Sequence, residues 1–182
     1  MEECTEQAVQ AMLPLVSAQR REQALRFKHT HGRFCCLKSW LMLNGLLDEP
    51  VREKMDEWQY NEHGKPFILH TPAIHFSISH CKEGIAVAVD EAPIGIDMES
   101  IRKADTDLIK RVLCAREQEQ VMQAADPNRA FTRLWTRKEA VVKMHGTGIE
   151  SFEQLQNSLT GLLPALKTVE KENYIYSIVW QG

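Results

Sequence analysis

The chain has 182 residues, 43% hydrophobic and 26% charged, with a net charge of −3. This suffices for one core or two small ones packed together and has the composition of a soluble globular protein; the overall acidity leaves no nucleic-acid footprint. No apolar run approaches the ~20 residues that span a bilayer, and Met1-Glu-Glu-Cys-Thr-Glu lacks the basic-then-apolar order of a signal peptide. Five cysteines (Cys4, Cys35, Cys36, Cys81, Cys114) are odd in number and contain no CxxC pair. This argues against a disulfide framework and against a zinc site, and points to reduced thiols in the cytoplasm.

In chain order, residues 4–16 read as a weak helix interrupted at Pro14, and Ser17 caps a helix predicted to run to about Lys28. Between Ser17 and Lys38 lie six basic side chains against the single acid Glu22. Such a stretch is either a solvated helix face or a surface for phosphate or an acidic partner. A second helix, roughly Gly32–Leu47, carries Phe34, Leu37, Trp40, Leu41 and Leu47 and ends at Asp48-Glu-Pro50. Asn61-Glu-His-Gly64-Lys65-Pro66 reads as a turn, in which a glycine before a lysine lets a ligand approach the backbone.

Ile74 to Ser79 alternates: Ile74, Phe76 and Ile78 on one face, His75, Ser77 and Ser79 on the other. That pattern predicts a half-buried strand ending at His80. Ile85–Val89 is a second strand and Ile94–Glu99 a third. Asp97 and Glu99 lie on one side of that third strand, where two like charges repel unless solvent or a cation separates them. They are candidates for a hard divalent ion with oxygen ligands, or simply a strand running into solvent. Helices are predicted over about 106–113 and 115–125, a longer one from near Asn128, another around 152–159, and a last strand over 174–180.

The longer helix contains Phe131-Thr-Arg-Leu-Trp135-Thr-Arg-Lys138-Glu139-Ala-Val-Val-Lys143-Met-His-Gly146-Thr-Gly148. Trp135, Glu139 and Lys143 recur four residues apart on one face, Phe131, Leu134 and Val142 form an apolar seam, and the glycines close the helix. Taken alone, Glu139–Lys143 is equally an ordinary surface ion pair; Lys138 reads as structural or as a partner for a carboxylate. The overall pattern is an α+β protein whose two halves meet near residues 90–95.

Phe76-Ser-Ile-Ser-His80, Ile94-Gly-Ile-Asp97-Met-Glu99 and the Trp135–Gly148 block resemble the signature blocks of the 4′-phosphopantetheinyl transferases of the surfactin-synthetase-activating (Sfp-like) type. Gly64-Lys65-Pro66 is similar to a shorter block, and Arg26-Phe27 with Arg33 resembles the family's N-terminal basic segment. The resemblance covers about Ser17 to Gly148 and implies an α+β pseudo-dimer of two similar halves, 1–92 and 93–182, active as a monomer. It implies an enzyme with holo-acyl-carrier-protein synthase activity. The phosphopantetheine arm of coenzyme A would pass to a serine of an acidic acyl or peptidyl carrier protein, with Mg²⁺, releasing adenosine 3′,5′-bisphosphate. Such carriers serve fatty-acid, polyketide or nonribosomal-peptide synthesis. By resemblance Asp97, Glu99 and Glu139 hold Mg²⁺, and Glu139, directly or through a metal-bound water, is the general base. Lys143 stabilises the leaving phosphate, and Arg26, Arg33, Lys65, Ser79, His80 and Lys143 bind coenzyme A. No nucleic acid or membrane is implied as a partner. A non-catalytic carrier-binding homologue and a Mg²⁺-dependent coenzyme A hydrolase are the alternatives. Two positions depart from the pattern. Gln23 stands where relatives often carry a Lys or Arg for the 3′-phosphate, with Arg20 or Arg26 as the substitute for it, and Cys81 follows His80 where serine is usual.

Overall fold

Side-chain caps open four of the α-helices in the computed structural model, which describes residues 4–69, 74–149, 152–159 and 165–181. Thr5 caps α1 (Glu6–Met12) and Ser17 caps α2 (Ala18–Leu25), each hydroxyl accepting a first-turn N–H. The long α3 (Thr30–Leu46) and the short α4 (Glu49–Arg52) follow. The strands β1 (Trp58–Tyr60), β2 (Pro66–Ile68), β3 (His75–His80), β4 (Ile85–Asp90) and β5 (Ile94–Ser100) come next. Asp105 caps α5 (Thr106–Val112), and α6 (Ala115–Gln123) leads to α7 (Pro127–His145), capped by Asp126. The described chain closes with α8 (Phe152–Asn157), β6 (Ala165–Glu170) and β7 (Tyr174–Trp180).

Three antiparallel units result: the hairpins β1–β2 and β3–β4, and a sheet in the order β5–β7–β6. The fold is α+β, as expected. Pro14 does not simply interrupt the first helix: it sits in a 3-10 turn, Leu13–Leu15, that continues from α1. α2 stops at Leu25, not Lys28. β1, β2 and β6 were not anticipated. The first two are three residues long, and β6 is a half-exposed edge strand with no strong apolar alternation.

The serine face of β3 corrects the half-buried expectation. Ser77 and Ser79 are each only 6% exposed. Ser77 Oγ accepts the Ile96 N–H at 3.0 Å and Ser79 Oγ accepts the Met98 N–H at 3.1 Å. Side chains two residues apart on β3 thus meet N–H groups two residues apart on β5, satisfying a strand edge that has no ladder partner on that side. This is how the two sheets join. Apolar clusters lie on each side: Trp40, Leu43, Trp58 and Phe76 in one, Val112, Val121, Phe131 and Leu155 in another. Ala88, Ile94 and Ile96 pack at the junction.

α7 lies directly on β5 and β7. Thr136 and Ser177 share a buried hydroxyl–hydroxyl bond of 2.8 Å, and a Cβ on Gly95 would stand 2.0 Å from the Ala140 carbonyl and 2.5 Å from the Met144 amide. Only a residue without a side chain allows this approach, which brings α7 against the strand bearing Asp97. Gly95→Ala is therefore expected to cost about 3 kcal/mol, the upper end for overpacking, because both obstacles are backbone. Chemical denaturation measures it; an unchanged midpoint would contradict so close a contact.

Candidate active site

A cleft of about 450 Å³ opens where β3, β5 and α7 meet, lined by Ser79, His80, Asp97, Glu99, Trp135, Glu139 and Lys143 on one side and by Arg20, Gln23 and Tyr60 on the other. The helical spacing of Trp135, Glu139 and Lys143 thus does present all three to one space, and the strand spacing of Asp97 and Glu99 does the same.

Asp97 is the hub, 3% exposed. Its Oδ1 accepts from the Lys143 ammonium at 2.6 Å and from the Ser79 hydroxyl at 3.0 Å. The same Ser79 oxygen also accepts from Lys143 at 3.0 Å, so this hydroxyl is spent on orienting the pair. Lys143 reaches across to β5, which argues against a simple surface pair with Glu139. Trp135 stacks on Phe131 with ring centroids 6.2 Å apart and donates its indole N–H to Glu99 Oε1 at 3.3 Å. Tryptophan here both packs and aims a carboxylate.

Burial, and then the neighbouring Asp97 charge, push the Glu139 carboxyl from 4.5 up to about 7. The same two causes, in the same order, raise Glu99. Asp97 Oδ2 is buried and without a hydrogen-bond partner. A set of three carboxyls in mutual repulsion, with an unpartnered buried oxygen, fits a hard dication bound through oxygen.

The expected coenzyme A residues divide. Ser79, His80 and Lys143 line the cleft. Lys65 lines an adjoining groove of about 340 Å³ that also reaches Glu139 and Lys143, and its ammonium donates to the Met144 carbonyl at 2.9 Å. Asn61 donates to the Gly146 carbonyl at 2.8 Å. The Gly-Lys-Pro turn thereby docks on the end of α7, where Gly146 takes the left-handed conformation at φ 71°. Arg26 and Arg33 are not brought to the cleft. α2 ends before Arg26, which pairs with Glu22 at 2.7 Å, while Arg33 donates to the Phe27 carbonyl and lies 3.6 Å from Glu6.

Arg20 stands at the cleft wall in their place. It is 6% exposed, with its guanidinium carbon 3.7 Å above the Trp40 ring and 4.6 Å from that of Trp58. It donates to Gln23 Oε1 at 2.7 Å, and Gln23 in turn donates to the Tyr60 hydroxyl. Arg20, Gln23 and Tyr60 form this wall together; of the two substitutes expected for a basic residue at Gln23, Arg20 lines the cleft and Arg26 does not, while Tyr60 was not anticipated. Lys138 is fully buried and pairs with Glu117, away from the cleft lining.

Comparison with known proteins bears on this geometry. A family model described as the 4′-phosphopantetheinyl transferase superfamily matches residues 93–174. The chain is 32% identical over 145 residues to 4′-phosphopantetheinyl transferase psf-1 of Bacillus pumilus, covering 78% of this chain and 62% of that protein. It is 28% identical over 141 residues to 4′-phosphopantetheinyl transferase Sfp of Bacillus subtilis (strain 168), covering 75% and 63%. With 4′-phosphopantetheinyl transferase AcpT of Salmonella typhi it shares 34% identity over 131 residues, 69% of this chain and 67% of that protein. The chain spans under two thirds of the length of the Bacillus relatives. Matched blocks on β3, β5 and α7, assembled around one cleft, and these relatives agree: the chain belongs to the 4′-phosphopantetheinyl transferase superfamily.

Proposed function

We propose that this protein transfers the 4′-phosphopantetheine arm of coenzyme A to a serine of an apo carrier protein. The observation that carries the reading is the cleft in which Asp97, Glu99, Glu139 and Lys143 meet. Asp97, Glu99 and Glu139 would hold Mg²⁺, which when bound offsets the charge of the coenzyme A pyrophosphate. Glu139, which faces the same cleft, is assigned the role of accepting the proton of the attacking serine hydroxyl. The serine Oγ–P bond forms as the P–O bond to adenosine 3′,5′-bisphosphate breaks. Lys143, steadied by Asp97 and Ser79, meets the charge that develops on the leaving phosphate. His80 and Arg20 would contact the nucleotide phosphates, with Lys65 at the adjoining groove; Arg26 and Arg33 remain outer basic residues. The basic run from Ser17 to Lys38 supports an acidic acyl or peptidyl carrier as partner.

The reading extends to organisation. Residues 1–92 and 93–182 form two similar halves of a monomeric pseudo-dimer, an arrangement supported by a long helix accompanying each sheet, α3 with β3–β4 and α7 with β5–β7–β6. Among the described residues no helix is long and apolar enough to cross a membrane; a cytoplasmic location is part of the proposal.

Chromatography of adenosine 3′,5′-bisphosphate tests the reaction. The product is expected only when coenzyme A, Mg²⁺ and an apo carrier are all present. Release without a carrier would make the protein a coenzyme A hydrolase instead.

Glu139 also makes a pH prediction. A carboxyl raised from 4.5 to about 7 in the fold contributes stability that is fully present below 4.5 and is lost as pH rises through 7. Glu139→Gln is therefore expected to raise the cation-free stability above pH 7, by at most about 3 kcal/mol, while abolishing transfer. Thermal melts at pH 8 in EDTA read the effect; a Gln variant that melts lower would contradict the raised carboxyl.

A further inference from the structure

A second cluster of groups able to ligate a metal gathers where β3 ends, beside the cleft. His31 and Cys35 are four residues apart on α3 and so share a face, and His80 ends β3 opposite them. Ligand atoms of these three residues all lie within 4.8 Å of one another. The His31 Nε2 to Cys35 Sγ distance is 3.6 Å. Tetrahedral Zn²⁺, with Zn–N of about 2.0–2.1 Å and Zn–S of about 2.3 Å, sets its N and S ligands about 3.5 Å apart. The His31 and His80 rings stand edge to face with centroids 6.3 Å apart, so a small rotation brings the second nitrogen in.

The other nitrogen of His31 supplies an independent observation. His31 Nδ1 lies 3.8 Å from Cys4 Sγ. An Nδ1–H held by Cys4 leaves Nε2 as the lone pair facing the Cys35 thiol, the outer support that metal-ligating histidines use. Cys4 is thus a positioning residue, since it addresses the opposite side of the ring from the site. All these thiols are free. Burial and the nearby thiols Cys4, Cys81 and Cys36 hold the metal-free Cys35 thiol up at about 11, so it is protonated and a poor nucleophile at neutral pH.

We infer that His31, Cys35 and His80 bind a borderline transition-metal dication, Zn²⁺ by its preference for mixed imidazole and thiolate ligands, with Cys4 supporting His31 and a fourth position left open. On binding, the Cys35 S–H proton leaves to solvent and the thiolate bonds the metal; no oxidation state changes. His80 also lines the cleft with Asp97 and Lys143. On the transferase reading, occupancy withdraws His80 from the nucleotide, and Zn²⁺ becomes a brake on transfer through a residue the two sites share.

The test is titration of the reduced full chain with Co²⁺, a spectroscopic stand-in for Zn²⁺, followed by displacement with Zn²⁺. One Co²⁺ per chain with a thiolate-to-cobalt charge-transfer band is expected. The band should vanish in Cys35→Ser, be lost or strongly weakened in His31→Ala and His80→Ala, and persist in Cys114→Ser. Cys4→Ser should keep the band with about 10- to 100-fold weaker affinity. Both histidines are exposed, so their variants decide the matter even if Cys35→Ser fails to fold. No band in the native chain, or a band that survives His31→Ala unchanged, overturns the site. In the transfer assay with excess Mg²⁺, Zn²⁺ should inhibit the native chain and not His31→Ala, whose basal rate stays unchanged. A cobalt band without any carrier modification would sink the transferase reading and leave the metal site standing.

Discussion

Asp97→Ala is expected to lower carrier modification by about 10³-fold, the loss typical of removing a preorganised charge from a reacting centre. Three functions end together in that substitution. Lys143 loses the oxygen that holds it at 2.6 Å, Ser79 loses its acceptor, and the carboxyl set loses its most buried member. The fold should survive, because the Lys143 side chain is 31% exposed and can turn to water instead of remaining as a buried unpaired charge. Asp97→Asn separates charge from shape: it keeps an acceptor for Ser79 and should be nearly as inactive. In both variants Glu139 should titrate lower, since Asp97 is its largest charged perturbation. Undiminished modification by either variant would remove Asp97 from the chemistry.

Lys138→Ala is expected to cost about 3–5 kcal/mol of stability and to leave the turnover of the folded fraction nearly intact. This lysine is fully buried, pairs with Glu117 at 3.0 Å, and donates to the Leu155 and Gln156 carbonyls at 2.9 and 2.8 Å. Glu117 in turn accepts the Cys114 N–H at the start of α6. One ammonium therefore ties α7 to α6 and α8, and its loss leaves the buried Glu117 carboxylate without its counter-charge and takes a donor from two carbonyls, of which that of Leu155 keeps the Ser158 hydroxyl. Such a loss should lower the melting temperature by roughly 6–20 °C in a chain of this size. Replacing both members of the pair with apolar residues of similar volume, as in Lys138→Met with Glu117→Leu, should recover most of the stability. A stable Lys138→Ala chain without turnover would instead place this residue in the chemistry, beside its neighbour in sequence.

The parts of the site carried by a single element were readable from spacing. Asp97 and Glu99 are two apart on a strand, Trp135, Glu139 and Lys143 four apart on a helix, and each set does share a face. What spacing cannot give is the partner across a tertiary contact. Ser77 and Ser79 looked like a solvent face because alternation distinguishes apolar from polar, not water from the N–H edge of another strand. The Arg20–Gln23–Tyr60 wall depends on a contact 37 residues apart in sequence, so spacing could not choose between Arg20 and Arg26 as the basic residue beside Gln23. The place where α2 stops decides among them. β6 was missed for a related reason: an edge strand, half exposed, needs little apolar pattern once β7 supplies its ladder. Gly95 read as part of a motif, and the carbonyl 2.0 Å from its missing Cβ is the physical reason it stands there.

Whether the cleft of Asp97, Glu99, Glu139 and Lys143 moves a phosphopantetheine arm onto a carrier serine is decided by intact-mass spectrometry of an apo acyl carrier protein incubated with this chain, coenzyme A and Mg²⁺. The expected result is a gain of one phosphopantetheine arm that EDTA abolishes and that Asp97→Ala and Glu139→Gln fail to produce. An arm transferred equally well by those variants, or no transfer to any of several acyl and peptidyl carriers, would contradict it.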